Sequence, residues 1–154
     1  GTGLPRPVDD AVTDAVVGAL EIGDDRTTHA DPSLPLRLVV DVALRALSPG
    51  VNDPTTASQA IEHVEQVLLT LAGRRLGTQT MRDEDGVVRL RVPAPGWEAL
   101  VDLGYRELVA AGSDPQTRRA LSRSLLRLAA RVPGERRAAV ERIASSVHPG
   151  DAAP

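Results

Sequence analysis

The sequence predicts a mainly α-helical protein, with about six helices packed as an orthogonal or antiparallel bundle and one β-hairpin near residues 76–93. Two observations carry this prediction. Apolar residues recur at intervals of three and four along most segments between the glycines and prolines, which is the period of a helix. The chain also lacks Phe and holds only Trp97 and Tyr105 as aromatic residues, so its core consists of Leu, Val and Ala, which suit closely packed helices.

The first three helices are predicted at about 8–23, 36–47 and 54–72. A polar connection separates the first two, and Asp31 with Pro32 provides a helix cap and a first-turn proline. The third carries a regular apolar stripe, suited to packing against an antiparallel neighbour. Its members are Ala57, Ile61, Val64, Leu68 and Leu71.

Residues 76–93 change to the alternating period of strands, with a first strand at 76–82, an acidic turn at 83–86 and a second strand near 88–92. Three further helices follow, from Trp97 to Gly112, from Asp114 to Arg131, and over 135–147. We expect one domain at 1–147 and a disordered tail at 148–154.

Composition excludes several classes of site. The net charge of −3 divides into six Arg against eleven acids in residues 1–77 and twelve Arg against ten acids in 78–154, which is not the pattern of a nucleic-acid-binding domain. The absence of cysteine excludes disulfides, thiolate nucleophiles and cysteine-bound metals. The three His show no metal-ligand spacing, so we predict neither a metal nor a cofactor.

The chain is expected to be a soluble piece of a longer protein. It has no uncharged apolar run of the about 18 residues that a membrane helix requires. It begins with Gly, and its single Met is Met81, so we expect it to have been cut from a longer polypeptide.

A polar corner at residues 48–57 separates the second and third predicted helices. One interpretation is an anion site, because a helix N-terminus offers free backbone N–H groups to a phosphate or carboxylate. The favoured interpretation is structural. Gly50 follows the helix at 36–47, Asn52 or Asp53 caps the helix at 54–72, and Pro54 takes the first position of that second helix. Asp53 also weakens the anion interpretation, since its carboxylate competes for the same N–H groups.

The helix at 36–47 is apolar around most of its circumference, so we expect it to be the buried central helix. Its charged residues, Arg37, Asp41 and Arg45, lie four apart and are predicted to join Asp31, Arg26 or the corner in a buried polar network. An exposed ladder is the alternative, with much weaker pairs. A two-carboxylate hydrolase site built from Asp31, Asp41 or Asp53 is a less favoured alternative.

A basic stripe, Arg119, Arg123, Arg127 and Arg131, repeats every four residues along the fifth predicted helix. A solvated face is the default interpretation. Because like charges at this spacing repel, the other candidates are contacts with the acidic first half, with another subunit or with anionic lipid headgroups.

The segment from residue 26 to 57 resembles the domain-of-unknown-function family twenty-two fifty-four. The likeness rests on Arg26-Thr27, Asp31, Arg37, Val40-Asp41-Val42-Ala43, Arg45-Ala46-Leu47-Ser48-Pro49 and Asn52-Asp53-Pro54-Thr55-Thr56-Ala57. The chain departs from the family pattern at Ala30, Leu34 and Pro35, where the family favours Gln, Phe and Gly. The resemblance implies the soluble region of a bacterial multipass protein of the inner membrane, with its own membrane-spanning region as a partner. The cytoplasmic side is a guess that the resemblance does not supply. It implies no established activity.

The favoured functional hypothesis is an assembly, sensing or regulatory domain, without a catalytic site. The alternative is an anion- or small-molecule-binding domain at the 48–57 corner. A homo-oligomer through the helix at 116–131 or the stripe at 54–72 is the first guess for self-association. The residues proposed to face a ligand or partner are Arg26, Thr27, Asp31, Arg37, Asp41, Arg45, Ser48, Asn52, Asp53, Thr55 and Thr56.

Overall fold

A computed structural model describes residues 9–11, 13–14, 31 and 33–147. Its helices and strands confirm the predicted class, mainly α with one antiparallel hairpin. The helix predicted at 8–23 and the tail at 148–154 lie outside the described residues, apart from 9–11 and 13–14. The elements in chain order are α1 (Ser33–Leu47), α2 (Pro54–Ala72), β1 (Gln79–Arg82), β2 (Val88–Val92), α3 (Trp97–Ala111), α4 (Pro115–Arg131) and α5 (Gly134–Ala144).

Aspartate caps begin three of the helices. The Asp31 carboxylate accepts a hydrogen bond from Ser33 N at 2.9 Å, ahead of α1. Asp53 caps α2, and Asp114 accepts from Thr117 N at 2.9 Å at the start of α4. In α2 and α4 a proline takes the first position, where a missing N–H costs no hydrogen bond.

The core lies where α2 contacts α1 and α4, and where α3 crosses α1. Gly104 of α3 marks the closest approach: a Cβ placed there would lie 3.0 Å from Val64 Cγ1 and 3.2 Å from Leu68 Cδ1, both on α2. It would also lie 3.6 Å from Leu36 Cδ1 on α1. Glycine is therefore required by space at this crossing rather than by backbone conformation.

The expectation that α1 is buried nearly all round is wrong. Its inner side is fully buried, at Leu36, Val40 and Ala43, but Leu38 is 55% exposed and Val42 is 53% exposed. Among the described elements, α1 packs only against α2 and α3, which cover one side. Apolar residues around most of a helix show that the helix can be buried. They do not show how many neighbouring elements pack around it.

The hairpin projects from the helices. β1 and β2 pair antiparallel, with Met81 opposite Leu90 and a register shift between Met81 and Arg82. Every residue of β1 is exposed, as is every residue of β2 except half-buried Val88, and neither strand has extensive contacts with a described helix. β1 begins later than predicted because Gly77, with φ of 90°, leaves the ladder and donates instead to Pro95 O at 3.1 Å.

Candidate functional site

The 48–57 corner is held together by its own backbone. Asn52 N donates to Ser48 O at 2.9 Å, and Asp53 N donates to Ala46 O at 2.8 Å, so the chain closes over the end of α1. The Ser48 hydroxyl donates to Arg45 O at 2.7 Å. These bonds satisfy carbonyl groups that a helix end leaves without partners.

The left-handed residue of this turn is Asn52, with φ of 47°. Asparagine adopts this conformation more readily than most residues because its short polar side chain bonds locally. A Cβ on Gly50 would meet no atom within 4 Å, so neither space nor a positive φ requires glycine there.

Asp53 occupies the N-terminal N–H groups of α2. Its Oδ1 accepts from Thr55 N at 3.1 Å and from Thr56 N at 3.0 Å, while its Oδ2 accepts from the Thr56 hydroxyl at 2.5 Å. The hydroxyl of Thr56, followed by the backbone N–H groups, holds the pKa of Asp53 below its ordinary value. The donors that would bind an external anion are therefore already paired with an internal carboxylate.

The Arg37–Asp41–Arg45 ridge is not buried. Arg37 contacts Asp41 at 2.7 Å, and their side chains are 38% and 50% exposed. The second partner of Arg37 is Glu107 on α3, joined through both guanidinium NH groups, and these bonds raise the pKa of Arg37. Arg45 is exposed and has no carboxylate partner among the residues described. Burial was predicted because the helix is apolar, but the ridge lies beside its uncovered side.

The three candidate aspartates have separate local roles. Asp31 and Asp53 cap α1 and α2, and Asp41 pairs with Arg37 one turn away. Arg26 and Thr27 lie outside the described residues. Asn52 and Thr55 are exposed at the corner, so a ligand or partner role for this set of residues remains a prediction.

The basic stripe divides into two kinds of arginine. Arg127 donates to both oxygens of Glu65 on α2, at 3.1 Å from Nε to each and at 2.7 Å from NH2 to Oε2. Glu65 is only 4% exposed, so this pair anchors α4 to α2. Arg119, Arg123 and Arg131 are exposed.

A second buried polar contact lies near this pair. The Tyr105 hydroxyl and Ser124 Oγ are 2.6 Å apart, joining α3 to α4, and burial raises the pKa of the Tyr105 phenol. We did not predict Glu65 as a buried residue. The sequence does contain one indication that Glu65 is buried. Glu65 lies four residues after Ile61 and three before Leu68, and therefore on the apolar stripe of α2.

Trp97 and Arg136 form a further contact that the sequence did not indicate. Trp97 Nε1 donates to Arg136 O at 2.8 Å, and the Arg136 guanidinium lies 5.3 Å from the indole centroid. The same guanidinium donates to Leu71 O at 3.0 Å and to Arg74 O at 2.7 Å, which caps the end of α2. An open cleft beside this contact is lined by Glu98, Asp102 and Glu135.

Two classes of feature are absent from the described part of the chain. No group of three or more His, Asp or Glu within it is arranged to hold a metal ion. No helix within the described ranges has both the length and the apolar character needed to cross a bilayer.

A family model described as "Predicted membrane protein (DUF2254)" matches residues 2–127, which is more than half of the chain. The chain belongs to this family. The match runs from before α1 into α4, so it includes the polar corner and the hairpin. The resemblance seen in the sequence is thereby confirmed.

Three mycobacterial proteins are similar to the chain. Uncharacterized proteins of Mycobacterium bovis and of two Mycobacterium tuberculosis strains are 38% identical to it over 94 residues. The matched stretch is 61% of this chain but 18% of each relative, so the chain corresponds to a minor part of those proteins. No solved structure matches the chain.

Proposed function

We propose that this chain is a domain outside the bilayer of a DUF2254 membrane protein, and that it serves assembly or regulation rather than catalysis. Membership of a family of predicted membrane proteins supports a membrane context. The described helices are not of membrane-spanning type, which supports a position beside the bilayer rather than in it.

The observation that carries an assembly role is the exposed apolar side of the hairpin. Met81 is 56% exposed, its cross-strand neighbour Leu90 is 46% exposed, and Val92 is 44% exposed. A two-stranded hairpin is marginally stable alone in water and gains stability when one face is covered. We propose that this side, the hairpin surface of Met81, Leu90 and Val92, contacts the remainder of the full-length protein.

The remainder of the protein is the favoured occupant of the hairpin surface because the relatives extend far beyond the matched segment, which is 18% of their length.

For the 48–57 corner we propose a structural role rather than a binding role. Its Asp53 carboxylate already binds the N–H groups that an anion would need. The sensing or regulatory role that the sequence suggested would act through the hairpin surface rather than through a pocket at the corner.

Cross-linking in the full-length, membrane-inserted protein tests this proposal. The chain has no cysteine, so Leu90→Cys introduces a single thiol within it for a short thiol-reactive photo-cross-linker. We expect an adduct to another segment of the same polypeptide. Ser113→Cys, in the exposed loop between α3 and α4, is the matched control and is expected to give none.

An adduct between two copies of the protein would show that a second subunit, and not the remainder of the same polypeptide, covers the hairpin surface. If Leu90→Cys labels no more protein than Ser113→Cys does, the hairpin surface is open to water and the assembly role is wrong.

A further inference from the structure

Helix α4 carries five arginines and no acidic residue. Its buried side is formed by Thr117, Ala120, Leu121, Ser124, Leu125 and Leu128. The arginines consequently lie on the exposed side, where a second set of contacts is possible.

Four of these arginines, Arg118, Arg119, Arg123 and Arg131, are exposed and pair with no carboxylate among the described residues. The fifth, Arg127, binds buried Glu65. Arg119 and Arg123 lie one helical turn apart, a spacing at which like charges repel each other. The described residues therefore leave these two like charges without a neutralising partner.

An exposed apolar residue lies among these charges. Leu126 is 68% exposed, the highest value among the large apolar side chains of the described residues. It follows Arg123 by three positions and precedes exposed Ala130 by four, so these residues continue one ridge along α4. Basic side chains attract the anionic headgroups of a membrane surface, and an exposed apolar side chain beside them gains by entering the interface.

We propose that this basic face of α4, defined by Arg119, Arg123 and Leu126, docks on the anionic lipid headgroups of the membrane. The inference rests on the proposed function, which places the chain beside the bilayer. Arginine binds phosphate oxygens through two parallel N–H donors, and Leu126 would enter the boundary of the acyl chains.

The observations favour a lipid surface over a nucleic acid, which also presents phosphates. A surface for single-stranded nucleic acid usually adds aromatic side chains that stack on bases, and α4 has none. The chain as a whole carries a net charge of −3, so attraction to an extended polyanion would be limited to this one helix. The exposed Leu126 side chain can be buried at the boundary of the acyl chains, whereas a phosphate backbone offers it no apolar contact.

Co-sedimentation of the chain with large vesicles tests the proposal. The vesicles contain equal parts of phosphatidylglycerol and phosphatidylcholine, and vesicles of phosphatidylcholine alone are the lipid control. We expect binding only to the anionic vesicles, weakening as salt is added. Arg119→Gln/Arg123→Gln should reduce the partition coefficient about twenty-five-fold, since each basic residue contributes roughly five-fold. Leu126→Gln should reduce it further.

Arg75→Gln/Arg91→Gln is the matched control, because it removes two exposed arginines from the hairpin region and leaves α4 intact. It should bind as the parent chain does. Circular dichroism of all variants shows whether the fold is retained. Equal binding to both vesicle types, equal loss in both double variants, or tighter binding to duplex DNA than to anionic vesicles would overturn the proposal. These outcomes are independent of the hairpin cross-link, so the two proposals fail separately.

Discussion

At the scale of single residues, Asp53 connects the polar corner to the stability of α2. It accepts three hydrogen bonds from Thr55 and Thr56, two of them from backbone N–H groups at the helix start. Asparagine caps a helix about as well as aspartate does, whereas alanine does not. A capping role and a ligand-binding role of the corner therefore predict different results for these two substitutions.

We expect Asp53→Ala to lower the thermal unfolding midpoint by about 3 °C near neutral pH, and Asp53→Asn to lie within about 1 °C of the parent. The pKa of Asp53 is lowered on folding, so its charge stabilises the protein above the unfolded-state pKa. That contribution is lost as the pH falls through the folded-state pKa, which is lower than the unfolded-state pKa. The difference between Asp53→Ala and the parent should therefore shrink on acidification, in melts from about pH 6 to about pH 3.

Asp53→Asn is the control for titration, since position 53 then carries no acid group. If Asp53→Ala melts with the parent chain at every pH, the cap contributes no stability. The carboxylate would then be retained for another reason, and the ligand interpretation of the corner would gain support.

At the scale of the elements, the pair of Glu65 and Arg127 joins α2 to α4. Glu65 is almost fully buried, whereas the Arg127 side chain is 45% exposed. Removing the arginine leaves a buried carboxylate without its partner, which in a fully buried pair costs about 3–5 kcal/mol. Partial exposure lowers this cost, because water can reach the remaining charge.

We expect Arg127→Gln to lower the free energy of unfolding by about 2 kcal/mol, measured by urea denaturation. Arg123→Gln, one turn earlier on the same helix and exposed, is the matched control and should change it by less than about 0.5 kcal/mol. Replacing both partners, as Glu65→Met/Arg127→Met, should recover most of the loss because no buried charge remains. Equal effects of the two single substitutions would show that the pair does not anchor α4.

At the scale of the whole molecule, the hairpin and the helical core are expected to be energetically separate. The hairpin has no extensive contacts with the described helices, and most of its side chains are exposed. Its base is closed by the bond from Gly77 N to Pro95 O, which lies outside the strands. The hairpin is thus attached to the helical core, but we expect it to contribute little to the stability of that core.

We expect replacement of residues 79–92 by a short Gly-Ser link to leave one cooperative thermal transition, with its midpoint within about 3 °C of the parent. Far-UV circular dichroism should retain the helical signal. A broad or split transition in the shortened protein would show instead that the hairpin belongs to the folding unit, and the proposal of a free assembly surface would lose its basis.

Much of the fold was predictable, because the signals that begin and end helices are local. The bounds of α2 and α4 follow from an aspartate cap and a first proline, at Asp53-Pro54 and Asp114-Pro115. The candidate site was less predictable. The sequence did not indicate that Asn52 adopts the left-handed conformation of the turn, and the charged ridge of α1 proved to be exposed.

The sequence by itself determined the fold class, the family and the positions of the elements, since each depends on residues close together in the chain. Only the tertiary structure decided which charges are buried and which apolar residues are exposed. Arg127 meets Glu65 across 62 positions of sequence, and Arg37 meets Glu107 across 70. No local pattern specifies such a contact, because it depends on how the helices cross. The way the helices pack leaves Leu126 exposed, and the position of the hairpin away from them leaves Leu90 exposed; these residues belong to the two surfaces for which we propose partners.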